Sequence, residues 1–215
     1  MVVEMFNLAH NLNVFSSPIK FYDIHDFEEY RMGLRKEAEE LKLNSNGLSV
    51  SNYADNWHSQ TDLTQNASKY TSKLVNLIPK LVSAYAEELD PSFDIKNYML
   101  ETNGWYNVSS KSGYHAPHTH SSYHLSGVFY VKQPRTADKR SGFIEFINSK
   151  EDYALSTIIK SDAFKSKIAV RPPEGSCVIF PSTLLHYVHP NLEIEDRITF
   201  AWNIRFVEIS KRDST

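Results

Sequence analysis

The sequence predicts a mainly β domain of the jelly-roll, cupin-like double-stranded β-helix class, with flanking helices. From residue 93 onward, short runs rich in Val, Ile, Phe, Tyr and Thr recur, separated by Gly, Pro, Asn and Ser. No regular helices lie between these runs, which disfavours a parallel α/β sheet. Roughly eight antiparallel strands in about 115 residues are typical of a double-sheet barrel.

The length of 215 residues suits one domain with a well-buried core. Within 1–215 as a single domain, we expect residues 1–92 to form an N-terminal support of helices and strand. Residues 93–215 are then the jelly-roll core, and we expect them to carry the functional site.

The N-terminal support begins with an edge strand at 17–22, where a Pro precedes alternating apolar residues. Asp26 followed by Glu29 predicts a capping box, and helical spacing of apolar residues continues from there to Leu43. This segment is therefore predicted to be a strand followed by an amphipathic helix.

Two further segments complete the support. Residues 44–61 are rich in Ser, Asn and Asp, which favours a loop with a short strand. Helical spacing returns over 74–89, where Pro79 must either kink the helix or start a new one.

The core is predicted from alternation and β-forming residues. Its strands are placed near 93–101, 104–110, 114–120, 125–132, 142–147, 167–171, 176–180, 185–189 and 197–207. Residues 148–166 interrupt them with a polar, partly helical insertion. This insertion is predicted either to cover the barrel mouth or to form a plain surface excursion.

Composition argues against several classes of protein. The net charge is -3 with both signs spread along the chain, so no basic field for nucleic acid is expected. No apolar run approaches the ~18 residues that span a bilayer, and residues 1–13 do not resemble a secretory signal. The single Cys177 excludes an internal disulfide and is predicted to be a small core residue. We expect a cytoplasmic protein that binds neither nucleic acid nor a membrane.

Histidines are concentrated in two places. The first cluster is His115, His118, His120 and His124, and the second is His186 and His189. On one predicted strand, His118 and His120 would point to the same face. Two imidazoles from one strand and a third from a distant strand can form a facial metal site with open positions opposite them. Imidazole suits iron, zinc and copper better than magnesium or calcium.

An H-x-H pair alone is more often a solvated or core pair than a metal site, and the second cluster adds specificity. His186 and Arg197 lie eleven positions apart (197 − 186), on successive predicted strands. The planar fork of Arg matches the two oxygens of a carboxylate. A metal with open positions, one strand from an inward Arg, can bind a 2-oxoacid at one end and its far carboxylate at the other.

Several segments carry a resemblance to a known family. They are G-W-Y-N at 104–107, H-A-P-H-T-H at 115–120, L-S-G-V-F-Y-V at 125–131, F-P-S-T-L-L-H at 180–186, R-I-T-F-A-W-N at 197–203 and, upstream, S-N-Y-A-D-N-W-H-S at 51–59. In these segments the chain resembles the 2-oxoglutarate and Fe(II)-dependent oxygenases, specifically a family of bacteria and their phages related to prolyl hydroxylases. The resemblance covers most of the chain.

The resemblance implies Fe(II) and the cosubstrates 2-oxoglutarate and O₂. It implies hydroxylation of an unidentified prime substrate, either a peptide or protein side chain or a small molecule, with release of succinate and CO₂. By position, His118 and His186 match metal ligands, Arg197 matches the 2-oxoglutarate anchor, and Tyr130 matches a tyrosine on the cosubstrate carboxylate.

Strand alternation adds candidates around these positions. Ser126 shares a face with Tyr130, and Asn203 shares one with Arg197, so both are candidates for cosubstrate binding. Trp105 and Asn107 either line the mouth of the site or pack in the barrel wall.

The first histidine pair departs from the family pattern. Most relatives have H-x-D or H-x-E, whereas this chain has His118-Thr119-His120. Three neutral imidazoles would leave an Fe(II) site at a charge of +2 instead of +1. Three-histidine iron sites exist in other jelly-roll dioxygenases, so the substitution is compatible with iron.

We therefore predict His118, His120 and His186 as the metal-binding and catalytic set. Glu145, on a neighbouring predicted strand, is the alternative to His120. The remaining residues of the two clusters are predicted to be supporting or surface groups; they are His115, His124 and His189.

Two other functions stay open at this point. One is a three-histidine dioxygenase that does not use 2-oxoglutarate, or a zinc hydrolase with an activated water. The other is a non-catalytic jelly-roll binding module, because a fold never proves an activity. Succinate formation distinguishes the oxygenase from the first, and lack of metal uptake favours the second.

Overall fold

Nine strands, three α-helices and one short 3₁₀ helix make up the described part of this computed structural model, which covers residues 16–49, 53–136, 138, 140–148, 157–158, 161 and 164–209. The N-terminal elements are β1 (Lys20–Asp23), α1 (Phe27–Asn44), β2 (Tyr53–His58), α2 (Thr71–Val75), α3 (Ile78–Leu89) and the 3₁₀ helix (Ile95–Asn97). The remaining strands are β3 (Tyr98–His118), β4 (Leu125–Lys132), β5 (Ile144–Ile147), β6 (Lys167–Val170), β7 (Ser176–Pro181), β8 (His186–Val188) and β9 (Arg197–Glu208).

These strands form one antiparallel sheet that curls over on itself. Its order is β1-β7-β4-β9-β3-β8-β5-β6, with β2 paired to β3. Strands β7 and β5 are far apart in this order, yet the ring centroids of Phe180 in β7 and Phe146 in β5 lie 5.0 Å apart. Two parts of the sheet therefore face each other, and the predicted mainly β jelly roll is confirmed.

Strand β9 separates an apolar core from a polar interior. Its core face, packed with residues of α1 and α3, consists of Ile198, Phe200, Trp202 and Ile204, all fully buried. Its other face carries Arg197, Thr199, Ala201 and Asn203. Because successive side chains of a strand alternate between faces, the same strand builds the core and one wall of the candidate site.

The start of α1 differs from the prediction. Asp26 has φ 58, in the left-handed region, and its side chain makes no capping hydrogen bond. Its carbonyl instead accepts a hydrogen bond from the Glu29 N–H at 3.0 Å. A capping side chain requires an extended backbone at that position, so the predicted capping box is wrong, although the helix itself is confirmed.

The other N-terminal predictions are confirmed. Strand β1 pairs only with β7, as an edge strand does. Helix α2 ends at Val75, and Pro79 lies in the first turn of the separate helix α3. Proline is tolerated there because the first N–H groups of a helix have no partner within it. Cys177 is fully buried, as expected of a small core residue.

A single 21-residue strand, β3, replaces three predicted strands. The ladder with β9 runs without a break through 102–103 and past Gly104, whereas the sequence predicted an interruption between 101 and 104. A Cβ on Gly104 would lie 2.8 Å from both the Phe200 ring and the Thr64 methyl group. This glycine permits close packing and makes no turn, which is why the predicted break is wrong. Residues 95–97 are 3₁₀ helix instead of strand.

Gly127 in β4 also allows a close approach. A Cβ there would lie 2.1 Å from Cζ2 of Trp202. We expect Gly127→Ala to destabilise the protein by about 1–3 kcal/mol, the usual effect of overpacking a core. Denaturant unfolding measures this change. The Trp202→Phe variant lacks the six-membered ring of the indole that the new Cβ would contact. In that background, Gly127→Ala should therefore have a much smaller effect on stability. Equal effects in both backgrounds would contradict this explanation.

Some predictions concern residues outside the described part of the chain. Residues 1–13 and most of the insertion at 148–166 are among them. The division between an N-terminal support and a core stays a prediction, although β1 and β2 both join the sheet. Among the described residues, no helix is both long and apolar enough to cross a bilayer.

Candidate metal centre

Three histidine side chains meet where β3 ends and β8 begins. His118 is the last residue of β3, and it is paired in register with His186, the first residue of β8. Each of His118, His120 and His186 offers one ring nitrogen, and these three atoms lie within 4.8 Å of one another. A single metal ion can therefore contact all three nitrogens, with its opposite side left open.

Backbone carbonyls orient two of these rings. His118 Nδ1 lies 2.7 Å from the Ala116 carbonyl oxygen, and His186 Nδ1 lies 2.9 Å from the Leu184 carbonyl oxygen. A carbonyl can only accept, so Nδ1 carries the proton in both rings and Nε2 keeps its lone pair. This arrangement of a ring N–H on a carbonyl is common for metal-ligating histidines.

His120 reaches the cluster by a different route from the one predicted. Strand β3 ends at His118, so the argument that both side chains share one strand face is wrong. The chain turns instead: the His120 N–H donates to the Ser182 carbonyl at 2.8 Å, and the His120 carbonyl accepts from the Tyr123 N–H at 2.9 Å. The His120 ring centroid nevertheless lies 5.0 Å from that of His118 and 5.3 Å from that of His186.

All three imidazoles are neutral near pH 7. Burial, and secondarily the neighbouring His118, lowers the pKa of His120 to about 4 and that of His186 to about 3. Burial also lowers the pKa of His118. Since a metal binds the neutral ring, the cluster is ready to bind a cation without first releasing protons.

The lowered pKa values predict how the stability of the metal-free protein depends on pH. Unfolded histidines titrate near 6.5, so the unfolded chain takes up protons before His120 and His186 do in the folded protein. The free energy of unfolding should therefore fall as the pH drops from 7 towards 4. Denaturant midpoints measured from pH 7 to 5 should fall less in His186→Gln than in the wild type. Parallel pH profiles would contradict this prediction.

Glu145, the alternative ligand, points away from the cluster. Its carboxylate oxygens lie 3.0 Å from His189 Nε2 and 3.1 Å from Lys167 Nζ. The next residue, Phe146, contacts the His186 ring at a centroid distance of 6.3 Å, and adjacent strand residues face opposite sides. The geometry therefore favours His120 over Glu145 as the third ligand.

The remaining histidines lie around or outside this cluster. His115 is buried in β3, with its ring centroid 6.2 Å from that of His118. His124 is exposed, and its ring stacks on Phe206 at 5.8 Å. His189 binds Glu145. These positions agree with the prediction of supporting and surface groups.

A cavity that opens to solvent connects the histidine cluster with Arg197. Its polar wall is formed by Trp105, Asn107, Ser126, Thr199 and Asn203, and its apolar wall includes Val128, Phe180 and Val188. The sequence left open whether Trp105 and Asn107 line the mouth of the site or pack in the barrel wall. Both side chains line this cavity.

Arg197 carries a buried positive charge at this cavity. The residue is 2% exposed, and it forms no ion pair with a carboxylate among the described residues. Its Nε has no hydrogen-bond partner there. The Tyr130 ring centroid lies 5.3 Å from the guanidinium carbon, and burial raises the pKa of Tyr130 to about 12. A buried charge without a counterion is unfavourable, so this site fits an anionic ligand.

A hydrogen-bond network joins the walls to the turn that holds His120. The Ser126 hydroxyl donates to Asn203 Oδ1 at 2.7 Å and lies 2.8 Å from the Ser182 hydroxyl. The carbonyl of the same Ser182 holds the His120 N–H. Ser182 was not predicted as a site residue, and its place in the F-P-S-T-L-L-H segment was the available signal.

Behind Trp105 lies a second residue that the sequence did not single out. The His58 ring is buried and stacks on Trp105 at a centroid distance of 5.3 Å and an interplanar angle of 13°. Trp105 in turn lies 6.0 Å from the His120 ring. The upstream 51–59 segment thus contributes to the wall beside the cluster.

Comparison with known proteins identifies the family that this site resembles. Residues 103–203, which contain every predicted site residue, match the family model described as "Putative 2OG-Fe(II) oxygenase". The resemblance inferred from the sequence motifs is thereby confirmed. Comparison with the curated proteins gave no match.

Solved structures of the same fold include oxygenases of this kind. A prolyl-4-hydroxylase from Pseudomonas putida has a TM-score of 0.64 at 12% identity, over 88% of this chain and 93% of that one. A prolyl hydroxylase from Trichoplax adhaerens, in complex with a hypoxia inducible factor peptide fragment, has a TM-score of 0.63 at 12% identity, over 87% and 83%. HygX from Streptomyces hygroscopicus, with nickel and 2-oxoglutarate bound, has a TM-score of 0.56 at 12% identity, over 88% and 83%. These likenesses show a common fold.

Proposed function

We propose that this protein is an Fe(II)- and 2-oxoglutarate-dependent oxygenase that hydroxylates an unidentified substrate. The observation that carries the proposal is one cavity with two complementary ends. At one end, three neutral imidazoles offer nitrogens within 4.8 Å of one another. At the other, buried Arg197 has no carboxylate partner among the described residues. The match of residues 103–203 to the oxygenase family supports the same conclusion.

The residues present fit the metal and the cosubstrate. His118 and His186 would bind iron through Nε2, since their Nδ1 atoms are hydrogen-bonded to carbonyls, and His120 would supply the third nitrogen. Arg197 would hold the far carboxylate of 2-oxoglutarate with its planar fork. When bound together, iron and 2-oxoglutarate supply oxidation by O₂, coupled to release of succinate and CO₂.

The remaining walls orient the cosubstrate and exclude water. Ser126 and Asn203 form one hydrogen-bonded pair on the cavity wall, and we assign them to the cosubstrate. Tyr130, beside the guanidinium group of Arg197, is assigned to the same carboxylate. Val128 and Phe180 give the cavity an apolar side, which strengthens these polar contacts by lowering the local dielectric constant.

The substrate of the oxidation is proposed as a peptide side chain or a small molecule. The Trichoplax relative was solved with a peptide, and a HygX structure contains hygromycin B. Both kinds of substrate are therefore accommodated by proteins of this fold.

Anaerobic calorimetry tests the proposal. 2-Oxoglutarate is titrated into Fe(II)-loaded protein, and succinate is then measured after O₂ is admitted. We expect micromolar binding and slow succinate formation even without prime substrate. An intact, iron-loaded protein that does not bind 2-oxoglutarate would contradict the proposal.

One observation favours a second candidate function. Among the described residues, no carboxylate joins the three histidines as a metal ligand, so a dioxygenase that does not use 2-oxoglutarate remains the alternative. Under that alternative, oxygen uptake would occur without succinate, and the guanidinium of Arg197 would bind the substrate itself. Measuring succinate against oxygen consumed distinguishes the two.

A further inference from the structure

The cavity that joins the three histidines to Arg197 has charged side chains of one sign only on its described walls. Among the residues that the structure describes, its walls carry one permanently charged side chain, Arg197, and no Asp or Glu. The buried carboxylate of Glu145 is bound to His189 and Lys167 and faces away from the cluster. Within the described part of the chain, the protein therefore offers the cavity no negative charge.

When a divalent metal and 2-oxoglutarate fill the site, one positive charge is left without a partner. This charge count rests on the proposed function. A divalent metal and Arg197 together bring three positive charges, and 2-oxoglutarate neutralises two of them. A relative with a carboxylate in place of His120 would reach neutrality. A net charge beside buried groups such as Arg197 is unfavourable unless it is paired, so one more negative charge would stabilise the filled site.

The indole ring of Trp105 lies beside the ligand that creates this imbalance. Trp105 is 5% exposed and lines the cavity. Its indole Nε1–H is buried without a hydrogen-bond partner. Its ring lies 6.0 Å from the His120 ring and is held from behind by His58. Buried Trp N–H groups usually have an acceptor, and an anion in the cavity would supply one.

We propose that the cavity binds a single-charged anion next to His120, in addition to 2-oxoglutarate, with the Trp105 Nε1–H as its donor. The anion is the carboxylate of the prime substrate or a small inorganic ion. Both have the chemistry that the site lacks, namely one negative charge and a hydrogen-bond acceptor. The proposal therefore predicts either that the prime substrate carries a carboxylate or that the enzyme requires a small inorganic anion.

The test uses full-length protein loaded anaerobically with Fe(II) and one equivalent of 2-oxoglutarate, in buffer free of chloride and of any other carboxylate. Formate, acetate and chloride are titrated separately, and the visible absorption of the Fe(II)–2-oxoglutarate complex is followed. We expect saturable changes at millimolar concentrations of at least one anion. Binding of formate and acetate but not chloride indicates a substrate carboxylate, whereas preferred binding of chloride indicates an inorganic ion.

Three variants test whether Trp105 and His120 determine the anion binding. Trp105→Phe removes the N–H and should weaken anion binding by about ten-fold or more, as expected for one hydrogen bond to a charged group. Trp57→Phe is the matched control, because the Trp57 indole N–H donates to the Ser45 carbonyl elsewhere, and it should bind the anion like the wild type. His120→Asp restores a carboxylate and should abolish saturable anion binding, with metal content measured in parallel.

The outcomes separate this inference from the proposed function. If 2-oxoglutarate binds the iron-loaded wild type but none of the three anions changes the absorption, the anion site is overturned and the oxygenase assignment stands. Equal anion binding by the wild type and Trp105→Phe also overturns the site. If 2-oxoglutarate itself does not bind, the proposed function fails first, and the anion site fails with it.

Discussion

Replacing Arg197 with Met is expected to weaken 2-oxoglutarate binding by about 100-fold or more, while the metal-free protein becomes at least as stable as the wild type. Loss of two charge-assisted hydrogen bonds accounts for the first effect, at about 1.5–3 kcal/mol each. The second follows because Arg197 is buried without a carboxylate partner among the described residues. Replacing even a buried ion pair with apolar side chains of similar volume is often neutral or stabilising by roughly 1–4 kcal/mol, and a buried charge without a counterion is less favourable still.

Calorimetry on Fe(II)-loaded protein measures the affinity, and denaturant unfolding of the metal-free form measures the stability. Arg205→Met is the matched control: Arg205 lies on the same strand, is exposed, and pairs with Glu101. It should leave the affinity unchanged. A purely structural role for Arg197 would give the opposite pattern, with lower stability and 2-oxoglutarate affinity like that of the wild type.

His120→Ala is expected to lower Fe(II) affinity by more than about 100-fold, since changes to groups that merely support a ligand already cost 10–100-fold. Glu145→Gln should keep Fe(II) affinity near that of the wild type, because its carboxylate faces Lys167 and His189. Competition with a metal-sensitive dye measures both affinities anaerobically. His124→Ala is a control at an exposed histidine that stacks on Phe206.

The reverse result, in which Glu145→Gln loses iron and His120→Ala keeps it, would exchange the two assignments. Loss of iron in both variants would indicate that Glu145 acts through the position of β5, whose Phe146 contacts His186. Circular dichroism of each variant shows whether the fold is retained. The dye measurement is therefore interpreted only for folded protein.

Strand alternation allowed much of the site to be predicted from the sequence. Arg197 and Asn203 were expected on one face of a strand, and β9 places both at the cavity. The prediction succeeds here because β9 is long and regular, with a core face of large apolar residues opposite the site. In such a strand, the pattern of the core determines where the polar residues point.

The parts that could not be predicted depend on tertiary contacts. His120 lies beyond the end of β3, and its position is set by Ser182, sixty-two residues later in the chain (182 − 120). The sequence predicted a break between strands just before Gly104, whereas this glycine lies within β3 and allows close packing against Phe200. The role of Trp105 depends on contacts with His58 and His120. No local pattern contains this information.

The register pairing of His118 with His186 has a consequence for folding. The two residues are sixty-eight positions apart (186 − 118), and they become neighbours only when β8 docks on β3. Such long-range strand pairing is slow, because the loop must close before the contacts form. A metal site built from these histidines would therefore be absent from the nascent chain until this pairing is complete. Under the proposed function, iron uptake would follow this pairing, and bound iron would then stabilise it.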